Sequence, residues 1–217
     1  HSGTTQRKGQ KEKQMNGLLK DILKEWWVWV ILVAGLILWL SSCSTPDNAT
    51  PRLRLYTARA GQHDFTPSPL PIPGEARTLE GTAKFMPSCW YDNLGEDQSD
   101  WNKLAGVYKW SDVVKNKNSV ILAWRPDIKI RDMFDLILYE NIDGANVPKE
   151  SGVYKIKAGE EFRFMFAELG GQYLLYVNGT LLGTQANDID YKVVGKISAW
   201  FGGNRTAPHD MHIYMNF

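Results

Sequence analysis

The sequence predicts an all-β domain, an antiparallel β-sandwich or barrel, behind an apolar N-terminal segment. Three observations predict it. From residue 76 onward, short runs rich in Val, Ile, Leu and aromatics alternate with Gly, Pro, Asn and Asp. Asn178-Gly179 stands between two such runs, the strongest short-range hairpin signal. Residues 52–217 contain no convincing long helical pattern to compete with about ten such strands.

Residues 1–14 start with His1 and are polar, with no pattern that assigns them structure. They are read as a non-native or disordered extension, because Met15 sits at the normal distance ahead of an export segment. A real polar tail is the alternative. Residues 26–40, WWVWVILVAGLILWL, are fifteen apolar residues without a charge. A spanning helix needs roughly 20, so the run suits a signal peptide, placed at 15–42. Lys20 and Lys24 precede it, although Asp21 and Glu25 weaken the basic lead-in. The run ends Leu40-Ser41-Ser42-Cys43, which resembles the lipobox of bacterial lipoproteins. That resemblance implies a lipid on the Cys43 sulfur, cleavage before it, and a membrane-anchored protein of the bacterial envelope, on its periplasmic or surface side. An uncleaved signal anchor is the alternative. Residues 43–51 then form the lipidated cysteine and a small, polar, Pro-bearing tether.

Residues 52–217 are read as one domain, large enough for a sandwich with its own core. Residues 52–58 look like a first strand, and 61–75 like a loop with four prolines in TPSPLPIPG. Further strands are expected at 82–86, 105–110, 119–125 and 133–139. In residues 161–167 the alternation places Phe162, Phe164 and Phe166 on one face and Arg163 and Met165 on the other. Residues 173–177 and 180–184 flank the Asn-Gly turn. Residues 193–201 and 209–217 close the chain, the last with Met211, Ile213, Met215 and Phe217 on one side.

Charge and cysteine content narrow the function classes. The 217 residues carry 25 Lys/Arg and 24 Asp/Glu. Residues 44–217 hold 19 basic and 21 acidic residues, which leaves no electrostatic footprint for nucleic acid. With Cys43 lipidated, Cys89 has no disulfide partner, so the core must hold the domain. Cys89 is read as a buried small hydrophobe rather than a reactive thiol. No phosphate-cradling loop or nucleophile elbow is present. The region 91–100 is the most acidic loop: Asp92, Glu96, Asp97 and Asp100 supply the hard oxygens that calcium prefers, in a spacing unlike an EF-hand. A solvated turn with Asx caps is the alternative. His209 and His212 alone do not make a zinc site.

Four short pieces, in order, carry a family resemblance. QYLLYVNGTLLGT (172–184) resembles the hairpin of concanavalin A-like domains. Lys103-Leu104-Ala105-Gly106, Ala123-Trp124-Arg125 and Leu136-Ile137-Leu138-Tyr139 resemble successive strands of jelly-roll polysaccharide lyases acting on alginate and glucuronan. Trp200-Phe201-Gly202-Gly203-Asn204, Ala207-Pro208 and the final Asn216-Phe217 resemble the ending of that group. The resemblance spans about residues 80–217 and implies a concanavalin A-like jelly roll. Ala105 departs from the lyases' proline, and Asp100-Trp101-Asn102 from their glycine-rich lead-in, so fold transfers better than activity.

A polyuronate lyase must neutralise the sugar carboxylate, remove the C5 proton and protonate the leaving oxygen. Arg125, Tyr139 and Arg163 alternate away from an apolar side and are the candidate ligand-binding residues. With Lys103 and His209 they are the candidate catalytic residues if the protein is a lyase. On one concave sheet they would line a basic, aromatic-edged groove; ordinary outward polar residues are the alternative. Trp90, Trp101, Trp110, Trp124 and Trp200 are candidate stacking platforms or core. The expectation is a lipid-anchored module that binds polysaccharide without catalysis, and the alternative is a small polyuronate lyase acting by β-elimination.

Overall fold

The computed structural model describes residues 52–68, 70, 72–112, 117–185 and 189–217. The extension, the signal segment, Cys43 and the tether up to Pro51 lie outside the described residues. No helix among the described residues is long and apolar enough to cross a membrane.

Among the described residues thirteen strands follow one another: β1 (Arg54–Ala58), β2 (Phe65–Thr66), β3 (Thr78–Phe85), β4 (Asn102–Lys109), β5 (Ser119–Pro126), β6 (Met133–Ile142), β7 (Ala145–Pro148), β8 (Tyr154–Lys157), β9 (Phe162–Leu169), β10 (Gln172–Val177), β11 (Thr180–Thr184), β12 (Val194–Ile197) and β13 (Met211–Asn216). They form two antiparallel sheets. One has the order β11-β10-β9-β3-β13-β1-β2. The other has the order β12-β4-β5-β6-β7, with β8 pairing the other end of β6. The chain changes sheet after β3, β8, β11 and β12, the winding of a jelly roll, so both terminal strands, β1 and β13, pair in the seven-stranded sheet.

The expected strands are present, mostly with ends shifted by a few residues. Strands β2, β7 and β8 were not expected. They are only two to four residues long, and β7 and β8 exist by pairing with the long β6 rather than by their own alternation. The Asn178-Gly179 turn is as expected: both residues have positive φ, 48° and 78°, as the tight turn joining β10 to β11 requires.

Period-two burial builds the core. Phe162, Phe164 and Phe166 of β9 all face inward and are at most 2% exposed, while Arg163 faces out. Opposite them, Val120, Leu122 and Trp124 of β5 and Phe134, Leu136 and Leu138 of β6 face inward. Phe85 sits centrally, its ring 4.9 Å from Trp124, 4.9 Å from Phe134 and 5.5 Å from Phe162. Each such ring contributes roughly 1.5–3 kcal/mol by burial. Cys89 lies in this core, its thiol donating to the His212 carbonyl at 3.0 Å, and burial pushes that thiol up to about 12. It therefore behaves as a small hydrophobe.

Candidate functional site

The six-stranded sheet has an outer face unlike an ordinary solvated one. The register places its side chains in four rows. Lys155, Asp135 and Arg125 form the first. Ile137, Ala123, Lys103 and Trp200 form the second. Pro148, Tyr139, Ile121, Gly106 and Ile197 form the third, and Asn146, Asn141, Ser119, Tyr108 and Gly195 the fourth. Ile121, Ala123 and Ile137 are fully buried although they point away from the core. Tyr108, Ile121 and Ile197, with Trp110 and Tyr139 against them, make a second, separate apolar cluster.

Two local features aim these side chains. The register of β4 slips between Lys103 and Ala105, so one extra residue sits opposite β5. This bulge sends Leu104 into the core and turns Lys103 to the outer face, where simple alternation from Tyr108 would not put it. At the sheet edge Gly195 lets the Tyr108 ring lie flat on the strand, since a Cβ there would sit 2.2 Å from a ring carbon.

Arg125 is the centre of the first row. Its guanidinium lies 4.0 Å over the Trp101 ring. It donates to the Ser99 carbonyl at 3.1 Å and reaches Glu150 at 3.4 Å and Asp135 at 3.9 Å. Lys155 bridges Asp127 at 2.7 Å and Asp135 at 2.6 Å. The hydrogen bond from Lys155 holds Asp127 below the usual carboxylate range, and the two carboxylates raise Lys155 above the usual lysine range. Arg125, Asp127, Asp135 and Lys155 line a cleft of about 420 Å³ together with Gln98, Ser99, Pro126 at the end of β5, and Ile128 and Lys129 of the β5–β6 turn.

Tyr139 and Trp200 occupy the neighbouring rows. Burial raises the Tyr139 phenol, and the Asp100 carboxylate raises it further. Trp200 is 38% exposed and stacks on His63, with centroids 5.2 Å apart and planes 7° from parallel. His63 Nδ1 is 2.8 Å from the Phe201 carbonyl, an oxygen that only accepts, so Nδ1 carries the proton and a neutral ring keeps Nε2 as its basic nitrogen.

The structure thus brings Lys103, Arg125 and Tyr139 to one face and separates the other two candidates from it. Arg163 is on β9, on the outer side of the seven-stranded sheet, where it pairs in register with Thr82. A groove shared by Arg125 and Arg163 does not form, because both side chains point away from the core that lies between their sheets. His209 is exposed on the segment entering β13, and its Nε2 donates to the Ser88 carbonyl at 2.8 Å. The expected basic groove is also corrected in charge. Arg125, Lys129 and Lys155 are matched by Asp127, Asp135 and Glu150.

The acidic loop has a structural use. Asp97 accepts the backbone N–H groups of Asn204 at 2.8 Å and Arg205 at 2.6 Å, while Asp92 and Glu96 are exposed. Burial and the neighbouring Asp97 raise Asp100. Among the described residues no group of three or more His, Cys, Asp or Glu is placed to hold a metal ion. Of the tryptophans, Trp124 is core, Trp90 donates to the Asp127 carbonyl, Trp110 packs on Tyr108, and Trp101 and Trp200 serve the outer face.

Asp135 and Lys155 escaped the sequence reading. Asp135 was within reach: the turn 127–132 makes β5 and β6 a hairpin, which sets Arg125 opposite Asp135. Lys155 and the His63–Trp200 stack depend on distant pairings that no local pattern signals.

No protein-family model matches the sequence, and no curated protein matches it. Solved structures do align with it. An alginate lyase of polysaccharide lyase family 7 aligns at 12% identity and a TM-score of 0.42, over 75% of this chain and 59% of that one, so the chain spans less than two thirds of that lyase. An alginate lyase from Chlorella virus aligns at 12% identity and a TM-score of 0.44, over 76% and 82% of the two chains. The carbohydrate-binding module CBM66 from Bacillus subtilis aligns at 13% identity and a TM-score of 0.36, over 74% and 82%. All three scores lie below 0.5; the strand order and register described above are what establish the antiparallel sandwich, and the chain is similar to these proteins in fold.

Proposed function

We propose that this protein binds polysaccharide without catalysis, on the outer face of its six-stranded sheet, and is held to the bacterial envelope by a lipid on Cys43. One observation carries the binding reading. Arg125 lying on Trp101, the half-exposed Trp200 on His63, Lys103 between them on β4 and Tyr139 on β6 share a single face beside an open cleft. Aromatic rings offer apolar platforms to the C–H faces of sugars, and paired carboxylates and guanidinium offer acceptors and donors to hydroxyls. The lipid anchor rests on the Leu40-Ser41-Ser42-Cys43 pattern alone.

A second reading, a small polyuronate lyase, is favoured by the same convergence of Lys103, Arg125 and Tyr139. Two features weigh against it. Tyr139 has its phenol raised, which makes the phenolate a base needs harder to form. Arg125, the group suited to neutralise a uronate carboxylate, already faces Glu150 and Asp135.

Affinity electrophoresis of the protein in native gels cast with a panel of polysaccharides tests the proposal. Retardation in at least one gel, with no rise in the ultraviolet absorbance of unsaturated uronate on incubation with alginate or glucuronan, is the expected result. An absorbance rise replaces binding by the lyase reading, and migration unchanged in every gel with no absorbance rise removes both.

A further inference from the structure

Building on the carbohydrate-binding reading above, we infer that this face takes an uncharged, hydroxyl-rich polysaccharide and discriminates against polyuronates. Two of the cations in the cleft are already engaged by carboxylates. Lys155 is bonded to two carboxylates at 2.7 and 2.6 Å, and Arg125 is held by Glu150, Asp135 and the Ser99 carbonyl with its other side on Trp101. Asp127 and Asp135 are only 10% and 14% exposed, so their charges are screened less than those of free surface groups.

A uronate carboxylate that bonds Arg125 or Lys155 crowds or displaces a carboxylate already held by that cation. That carboxylate stays in the cleft, close to the incoming charge of the same sign. Like charges held a few ångströms apart with partial desolvation repel strongly. A sugar hydroxyl meets no such conflict. Each Asp or Glu oxygen accepts more than one hydrogen bond, so Asp135 can serve Lys155 and a hydroxyl together. The apolar face of the sugar has Ile128, 59% exposed, at the cleft and Trp200 at the far edge of the sheet. Three strand spacings separate the first-row Asp135 from Trp200, roughly 14 Å, a length suited to a chain rather than a single sugar ring.

The test compares mobility, relative to a non-binding reference protein, in native gels holding hydroxyethylcellulose, galactomannan, sodium alginate or polygalacturonate at equal mass. The wild type is expected to be retarded by a neutral polymer and at least several-fold less by either uronate. Asp135→Asn removes one carboxylate charge from both Arg125 and Lys155, leaving Glu150 and Asp127 in place, and Glu150→Gln, at an exposed side chain, removes the nearer of the two carboxylates facing Arg125. Each is expected to gain retardation in the uronate gels that added salt abolishes. Wild-type protein retarded more by alginate or polygalacturonate than by the neutral gels overturns this inference and leaves glycan binding standing. Failure of both variants to gain uronate retardation overturns its electrostatic cause. Migration unchanged in all four gels overturns the binding reading and this inference with it.

Discussion

The outer faces of the two sheets differ although both alternate with the same buried core. On the seven-stranded sheet, Arg163, Thr82 and Asn216 lie side by side as a half-exposed polar row. On the six-stranded sheet, the same positions relative to the core hold fully buried Ile121, Ala123 and Ile137, a second aromatic cluster and a rim of paired charges. One face is the polar side that antiparallel sheets commonly turn to water. The other buries side chains away from the core, and the charged and aromatic groups nominated for function collect around it. Alternation alone nominates candidates on both faces; the second layer of burial selects between them.

Substitutions can break or sharpen that contrast. The core reference is Phe85→Ala, expected to cost about 3–5 kcal/mol in urea unfolding, because the ring touches Trp124, Phe134 and Phe162. Ile121→Ala is the discriminating change. A second packed layer predicts a loss of about 2–5 kcal/mol, whereas a plain outer face predicts a loss within about 0.5 kcal/mol. Cys89 offers a milder check on the core. With its thiol raised to about 12 by burial, its alkylation rate at mildly alkaline pH is expected to track global unfolding, and rapid reaction in the native protein contradicts the packing described.

The smallest expected effect is electrostatic. Asp127 is depressed, so its contribution is present above the ordinary carboxylate range and is lost as pH falls through its folded pKa. Lys155 is raised, so its contribution is present below the ordinary lysine range and is lost as pH rises through its folded pKa. The stability difference between wild type and Lys155→Met is therefore expected to be flat between those ranges and to shrink at both ends. Its plateau is at most about 1 kcal/mol, because Lys155 is half exposed. A difference that grows toward acid contradicts the pairing. Urea midpoints measured across pH decide it.

Most of the fold was legible because the information is local. The Phe162, Phe164, Phe166 alternation, the Asn178-Gly179 turn and the Val120, Leu122, Trp124 face each follow from neighbours along one strand. The site was legible only in part. Arg125 and Tyr139 followed from alternation, but Lys103 reaches their face through a bulge, which shifts the period by one residue without a residue type that announces it. Arg163 was placed with them because alternation says which side of a strand a residue takes and not which sheet the strand joins. The His63–Trp200 stack joins residues more than a hundred positions apart, which only the folded topology brings together.

The central claim is that glycan binds the outer face of the six-stranded sheet, and Trp200→Ala measured beside Arg163→Ala tests it most directly. In native gels holding hydroxyethylcellulose or galactomannan, the account predicts that Trp200→Ala loses most of the wild-type retardation while Arg163→Ala keeps it, with both variants as stable as the parent. Loss of retardation on changing Arg163, with Trp200→Ala unaffected, contradicts it.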